Sequence, residues 1–137
     1  GLYNNLDYSF VVGFEDGTWP IPEGNPGWGG PAFRKQIKLL KDCLYSLPFV
    51  KMKPIPATNN EVYGLAEQGK NYLIYIAQKD VPALPLALPS GTYSARWISP
   101  ATGDTLQSDR IHITGNGWVA TPPLYEEDVA LIVAREK

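Results

Sequence analysis

The chain has few of the residues that form disulfide bonds or bind metal ions. Its 137 residues include one cysteine and one histidine. Cys43 lacks a second cysteine for an internal disulfide, and His112 has no cysteine or pair of carboxylates at metal-ligand spacing. These absences exclude an internal disulfide framework, and we expect no metal and no other cofactor. Cys43 lies on the apolar side of a predicted helix, which favours a buried thiol.

Long apolar runs and segments of one charge sign are also absent. No stretch approaches the ~18 consecutive apolar residues of a membrane-spanning helix, and no charged and then apolar signal segment stands at the N-terminus. The 12 basic and 14 acidic residues give a formal charge of −2. The basic residues are scattered rather than clustered, which disfavours binding to a phosphate backbone. We therefore expect neither membrane insertion nor a nucleic-acid partner.

The sequence is rich instead in apolar residues and in residues that form turns. Hydrophobic residues make up 44% of the chain and charged residues 19%, with 13 glycines and 13 prolines. This composition favours a folded domain over a disordered segment. The length suits one domain with a short additional segment, whereas a complete (β/α)8 barrel needs about 250 residues.

Two segments near the N-terminus are predicted to be loops. Residues 1–30 form a long Gly/Pro-rich loop with one short strand at residues 8–12, because glycine and proline clusters after that strand prevent regular structure. Residues 51–56 contain two prolines at short spacing, which hold the backbone extended and bar a helix. We predict that this second loop connects two parts of the chain.

One α-helix is predicted between these loops, at residues 31–47. Pro31 suits the first turn, where its missing N–H is no loss, and Pro48 ends the helix. The apolar residues recur at spacings of four, three and four, on one helical face: Phe33, Ile37, Leu40 and Leu44.

The rest of the chain is predicted to form short strands separated by turns. Alternating residues or short apolar runs mark them at 61–67, 71–77, 92–98, 110–114, 118–121 and 129–134. The last run is apolar throughout, which is typical of a strand buried on both faces. The segment Gly115-Asn116-Gly117 is predicted to close a hairpin between the strands on either side of it. The predicted fold class is mainly β: an antiparallel β-sandwich of about seven or eight strands with one N-terminal α-helix.

Two parts of the sequence resemble one protein family. Residues 5–18, NLDYSFVVGFEDGT, and residues 26–31, PGWGGP, lead into the helix and on to FVKMKP at 49–54. These motifs resemble the end of the catalytic barrel in bacterial glycoside-hydrolase-like proteins. Residues 91–103, GTYSARWISPATG, and residues 122–134 resemble the small C-terminal domain that is catalogued in such proteins as collagen-binding.

The resemblance implies two regions: residues 1–54 from the end of a catalytic barrel, and residues 55–137 as a β-sandwich accessory domain. The acid and nucleophile of such proteins stand on earlier barrel strands, which this chain lacks. We therefore expect a non-catalytic, C-terminal part of a secreted, periplasmic or cell-surface protein, with the catalytic barrel domain as its partner. The alternative is a module that binds a polysaccharide, or collagen, through exposed aromatic residues.

Five residues are candidates for carbohydrate binding: Asp7, Tyr8, Glu15, Trp19 and Trp28. An indole in the N-terminal loop can stack on a sugar ring or can simply anchor the loop. Glycosidases need two carboxyl groups about 5–5.5 Å or 6.5–9.5 Å apart. A turn explains Glu15 more simply, and backbone hydrogen bonds at the strand start explain Asp7. No residue is predicted to be catalytic.

Three further features are predicted to be structural. Trp97 and Trp118 lie on strands with alternating neighbours and are expected in the core, although they would form a binding platform if both faced outward. The acidic run 126–128 is expected to be a solvated turn, because three consecutive residues do not converge on one calcium ion without a special loop.

Overall fold

The computed structural model describes residues 30–56 and 61–136, and within them the protein is mainly β. Eight strands form two antiparallel sheets, accompanied by one α-helix and one short 3-10 helix. The elements in chain order are α1 (Gly30–Tyr45), the 3-10 helix (Phe49–Lys51), β1 (Lys53–Ile55), β2 (Val62–Glu67), β3 (Asn71–Ile76), β4 (Leu84–Leu86), β5 (Gly91–Ile98), β6 (Thr105–Ile113), β7 (Trp118–Ala120) and β8 (Val129–Arg135). The predicted antiparallel β-sandwich with one N-terminal helix is confirmed. The predicted N-terminal loop lies outside the described residues, apart from Gly30.

The chain divides into two compact units, Gly1–Leu40 and Lys41–Lys137. All eight described strands belong to the second unit. The predicted domain boundary between residues 54 and 55 falls within β1. The division into residues 1–54 and 55–137 stays a prediction.

The larger sheet has six strands in the order β1-β2-β3-β8-β5-β6, and each strand is antiparallel to its neighbours. The last strand in sequence, β8, thus lies in the interior of the sheet. Its first five residues, Val129–Val133, are all buried. The prediction of a C-terminal strand buried on both faces is confirmed, because each face of β8 meets a different apolar cluster.

The main core lies between the six-stranded sheet and the two-stranded sheet that β4 forms with β7. Side chains alternate along a strand, so alternate residues of β2, β3, β5 and β8 face this core. Its largest fully buried side chains include Trp97, Tyr72, Tyr93, Ile74 and Leu131. Burial of each large apolar side chain contributes about 1.5–3 kcal/mol, which makes this cluster the main source of stability.

A second apolar cluster covers part of the opposite face of the six-stranded sheet. Leu47, Met52 and Ile132 are its buried members. The residues packed against them come from the end of α1, the 3-10 helix and the sheet: Cys43, Phe49, Leu65, Leu73 and Ile98. Cys43 is half-buried rather than fully buried, and this burial raises the pKa of its thiol against a smaller opposing effect of Arg96. The thiol therefore packs as predicted, in an environment that disfavours the reactive thiolate.

Helix α1 ends at Tyr45, two residues before the predicted end. Residues 46–48 form a turn in which the Ser46 N–H donates to the Asp42 carbonyl (3.0 Å) and the Ser46 hydroxyl donates to the Cys43 carbonyl (2.7 Å). These bonds occupy carbonyls that the last helical turn would leave without partners. Within the described residues, no helix combines the length and the hydropathy needed to span a bilayer.

Two sequence predictions about strand pairing are wrong. The predicted loop at residues 51–56 contains β1, which pairs with β2 at the sheet edge. Pro54 is tolerated there because an edge strand has a side on which no ladder hydrogen bond is needed. The predicted hairpin at residues 115–117 does not form, because β7 pairs with β4 and buries Ala120 in the main core instead of extending β6.

Gly64 permits the close approach of β1 to β2 and β3. A Cβ atom at this position would lie 2.5 Å from Cγ1 of Ile55 and 2.9 Å from Cδ1 of Ile74. We expect Gly64→Ala to lower the free energy of unfolding by about 1–3 kcal/mol, because overpacking displaces these side chains. Urea unfolding measures the change. Gly115→Ala is the matched control, since a Cβ there meets nothing within 4 Å; equal stabilities of the two variants would contradict the prediction.

Candidate functional site

The five residues predicted to bind carbohydrate all lie outside the part of the chain that the structure describes: Asp7, Tyr8, Glu15, Trp19 and Trp28. Their role stays a prediction. The two strand tryptophans are described, and both pack as predicted. Trp97 is 1% exposed in the main core, and the half-buried Trp118 packs against the same cluster. These two indoles therefore do not form a surface platform.

Among the described residues, the exposed aromatic side chains of the sheet are two tyrosines that were not among the predicted site residues. Tyr63 on β2 and Tyr75 on β3 occupy paired positions on neighbouring antiparallel strands. Their ring centroids are 6.3 Å apart and the rings are inclined by 28°. They remain 54% and 36% exposed. The pair thus presents two nearly parallel phenol rings to solvent.

Strand alternation explains why these tyrosines face outward. Val62 before Tyr63, and Ile74 and Ile76 on either side of Tyr75, are buried in the main core. A side chain between inward-facing positions must point to the other face of the sheet. The second apolar cluster, beneath the end of α1, covers Leu65 and Leu73 on that face but does not include the tyrosines.

Asp128 holds the hydroxyl group of Tyr75. The Tyr75 Oη donates a hydrogen bond to Oδ2 of Asp128 at 2.8 Å. Asp128 immediately precedes β8, whose first residues pair with the end of β3. Burial, this hydrogen bond and the charge of Asp128 together raise the pKa of Tyr75 to about 12. Glu126 and Glu127 are exposed, as the predicted solvated turn requires, whereas Asp128 is half-buried.

Register could have identified this pair from the sequence. The turn at residues 68–70 joins two predicted strands, and pairing outward from it brings Tyr63 opposite Tyr75. The contribution of Asp128 could not have been found in this way, because it depends on the placement of β8 next to β3. That placement is set by tertiary packing.

A separate pocket of about 200 Å³ opens between β4 and the β1–β3 side of the larger sheet. Its walls are mainly apolar: Ile55, Pro56, Val62, Gly64, Gln68, Tyr72, Ile74, Leu84, Pro85, Leu86 and Ala87. The Tyr72 hydroxyl accepts from the Gly69 N–H (2.7 Å) and donates to the Ala87 carbonyl (3.2 Å). Among the described residues that line this pocket there is no carboxylate, histidine or cysteine, and the Tyr72 phenol is held in internal hydrogen bonds.

The described residues contain no group of three or more His, Cys, Asp and Glu side chains placed to hold a metal ion. His112 is exposed on β6, and its Nδ1 lies 3.1 Å from Oγ1 of Thr92 on β5. This polar cross-strand contact explains the histidine within the sheet.

Comparison with known proteins detects a likeness of fold. No family model matches the chain, and no curated protein sequence does so. Among solved structures, one described as a glycoside hydrolase matches with a TM-score of 0.60 and 14% identity, over 87% of this chain and 31% of that one. A glycoside hydrolase family 5 structure from Bacteroides vulgatus ATCC 8482 matches with a TM-score of 0.59 and 17% identity, over 86% of this chain and 28% of that one. The chain thus spans about a third of the length of these hydrolases.

Because Tyr75 donates a hydrogen bond to Asp128, we expect the Tyr75 phenol to ionise at a higher pH than an ordinary tyrosine. The raised pKa means that the folded state favours the neutral phenol, so the associated stability is present below pH ~10 and is lost as the pH rises through about 12. The difference in phenolate absorbance between the wild type and Tyr75→Phe isolates this group. Asp128→Asn should lower the pKa, because it removes the charge and weakens the acceptor. An unchanged titration in Asp128→Asn would contradict this assignment.

Proposed function

We propose that this chain is a non-catalytic accessory part of a glycoside-hydrolase polypeptide, and that it packs against the catalytic domain through one apolar stripe of α1. The stripe comprises Phe33, Ile37 and Leu40, which share one helical face. The likeness to 31% and 28% of two glycoside hydrolases supports this role. In both hydrolases a structure of this kind forms part of a much longer chain.

The observation that carries the proposal is the exposure of the stripe. Ile37 is 40% exposed and Leu40 is 43% exposed, although both are aliphatic and stand three residues apart on one helix. Single exposed apolar residues are common on protein surfaces, but adjacent ones that form a patch mark interaction sites. A catalytic domain that covers the stripe would remove this apolar surface from water and so stabilise the assembly.

The proposal assigns the chemistry to the partner rather than to this chain. The resemblance of the N-terminal motifs implies that the catalytic acid and nucleophile stand on earlier barrel strands. Among its described lining residues the pocket has no carboxyl group of the kind that glycoside hydrolysis requires, and its Tyr72 phenol is internally hydrogen-bonded. Residues 1–54 would then complete the catalytic half, residues 55–137 would form the accessory domain, and the whole would be secreted, periplasmic or at the cell surface.

Binding of the full 137-residue chain to the catalytic domain encoded in the same gene or operon tests the proposal. Calorimetry should give a saturable complex, and the double variant Ile37→Gln/Leu40→Gln should weaken it about tenfold or more, because apolar anchors are lost. Leu124→Gln is the matched control, since Leu124 is exposed and lies outside the stripe. Absence of a complex, or equal affinity of the stripe variant and the wild type, would refute packing through α1.

A further inference from the structure

We propose that Tyr63, Tyr75 and Asp128 form a binding site for a neutral pyranose unit of a glycan. The site lies on the outer face of the sheet, and none of its three residues lines the apolar pocket. It does not depend on the packing of the chain against a catalytic domain. The inference is carried by the geometry of three described side chains.

The three side chains are held in place before any ligand arrives. Tyr63 and Tyr75 stand on strands whose pairing runs over six residues without interruption. The hydrogen bond to Asp128 restricts the Tyr75 ring, and Asp128 is itself tied to the start of the buried strand β8. A tyrosine has two side-chain torsions and loses little conformational freedom on binding. The site therefore approaches the preorganised state that favours affinity.

The chemistry of the site matches the two sides of a sugar ring. A pyranose has an apolar C–H face, which stacks on a phenol ring, and an edge of hydroxyl groups, which donate hydrogen bonds. The two rings stack on each other at an inclination of 28°, so the apolar face of a sugar would lie on the exposed part of one phenol ring rather than across both. A carboxylate has about four acceptor positions, so Asp128 can accept from a sugar hydroxyl while it keeps its bond to Tyr75.

Charge and size select against other ligands. The carboxylate of Asp128 beside the rings repels an acidic sugar such as a uronate, which favours a neutral one. Ala130, which pairs with Tyr75 across the sheet, adds a small and largely buried side chain to this surface. Two tyrosines fall far short of the ~800 Å² that each partner contributes to a stable protein interface. A single sugar ring is matched to a surface of this size.

The tyrosine pair also stabilises the sheet as a cross-strand contact, and the test must separate the two roles. The full chain is run by affinity electrophoresis through gels that contain hydroxyethylcellulose, xyloglucan, galactomannan or laminarin. At least one neutral polysaccharide should retard the wild type. Tyr63→Ala and Tyr75→Ala should each weaken the retardation about tenfold or more, as expected for a central aromatic contact.

Four further variants distinguish the contributions of the individual side chains. Tyr75→Phe retains the ring and should keep more binding than Tyr75→Ala, while Asp128→Asn retains the side-chain volume but should weaken binding through its poorer acceptor. Tyr45→Ala is the matched control, because Tyr45 is 68% exposed on α1, outside the site, and should bind as the wild type does. Ile37→Gln/Leu40→Gln should also bind normally, which separates this site from the packing surface.

A measurement on the wild type alone guards against unfolded variants. Addition of the retarding polysaccharide, as soluble oligosaccharides, should shift the ring-proton resonances of Tyr63 and Tyr75 and leave those of Tyr45 in place. Lack of retardation by all four neutral polysaccharides overturns the proposal. So does retardation that Tyr63→Ala and Tyr75→Ala leave unchanged, stronger binding of polygalacturonate, or displacement by choline, which would indicate a cation site.

Discussion

The burial of β8 on both faces is the constraint on which the rest of the structure depends. An apolar strand in the interior of a sheet must be covered on two sides, because either face would otherwise expose side chains to water. The β4–β7 sheet covers one face, and the end of α1 with the 3-10 helix covers the other. Ile132 belongs to the second cluster, whereas Leu131 and Val133 belong to the main core. Residues 43–52, at the end of α1 and in the 3-10 helix, are therefore part of the packing of the sandwich.

The two ends of β8 connect this core to the surface. At its start, Asp128 accepts the hydrogen bond of Tyr75. At its end, the Arg135 guanidinium donates to the Ser90 carbonyl at 3.0 Å and lies 5.9 Å from the centroid of the Tyr93 ring. Residues at the two ends of β8 thus hold the Tyr75 side chain on β3 and the Ser90 backbone just before β5. A change in the packing of β8 would shift Asp128 and so alter the position of Tyr75, although Tyr63 and Tyr75 themselves lie on other strands.

The two proposed interaction surfaces differ in chemistry in a way that fits different partners. The α1 stripe is apolar throughout, which suits a water-excluding protein contact. The tyrosine surface combines aromatic faces with a carboxylate, which suits a ligand with both C–H and hydroxyl groups. The fold likeness at 14% and 17% identity concerns the backbone architecture. Because so few residues are identical between this chain and those hydrolases, the roles of individual side chains depend on the geometry within this chain.

Much of the strand layout follows from the sequence, because alternation and turn chemistry act over a few residues. The predicted strands at 61–67, 71–77 and 92–98 agree with β2, β3 and β5 to within one residue at each end. The prediction missed β4, which has only three residues and a central proline, Pro85. It also made β6 too short, starting it at residue 110 instead of Thr105, because residues 105–110 are exposed on both faces and carry no alternating pattern.

The sequence by itself determined the fold class, the buried character of the last strand and the core position of Trp97, since each follows from local periodicity. The tertiary structure alone decided that β7 pairs with β4, that β8 lies between β3 and β5, and that Asp128 meets Tyr75. Such contacts join residues more than 30 positions apart, and the Tyr75 and Asp128 pair is separated by 53. No local pattern encodes that separation, because the pairing is selected by how completely the whole chain can cover its apolar strands.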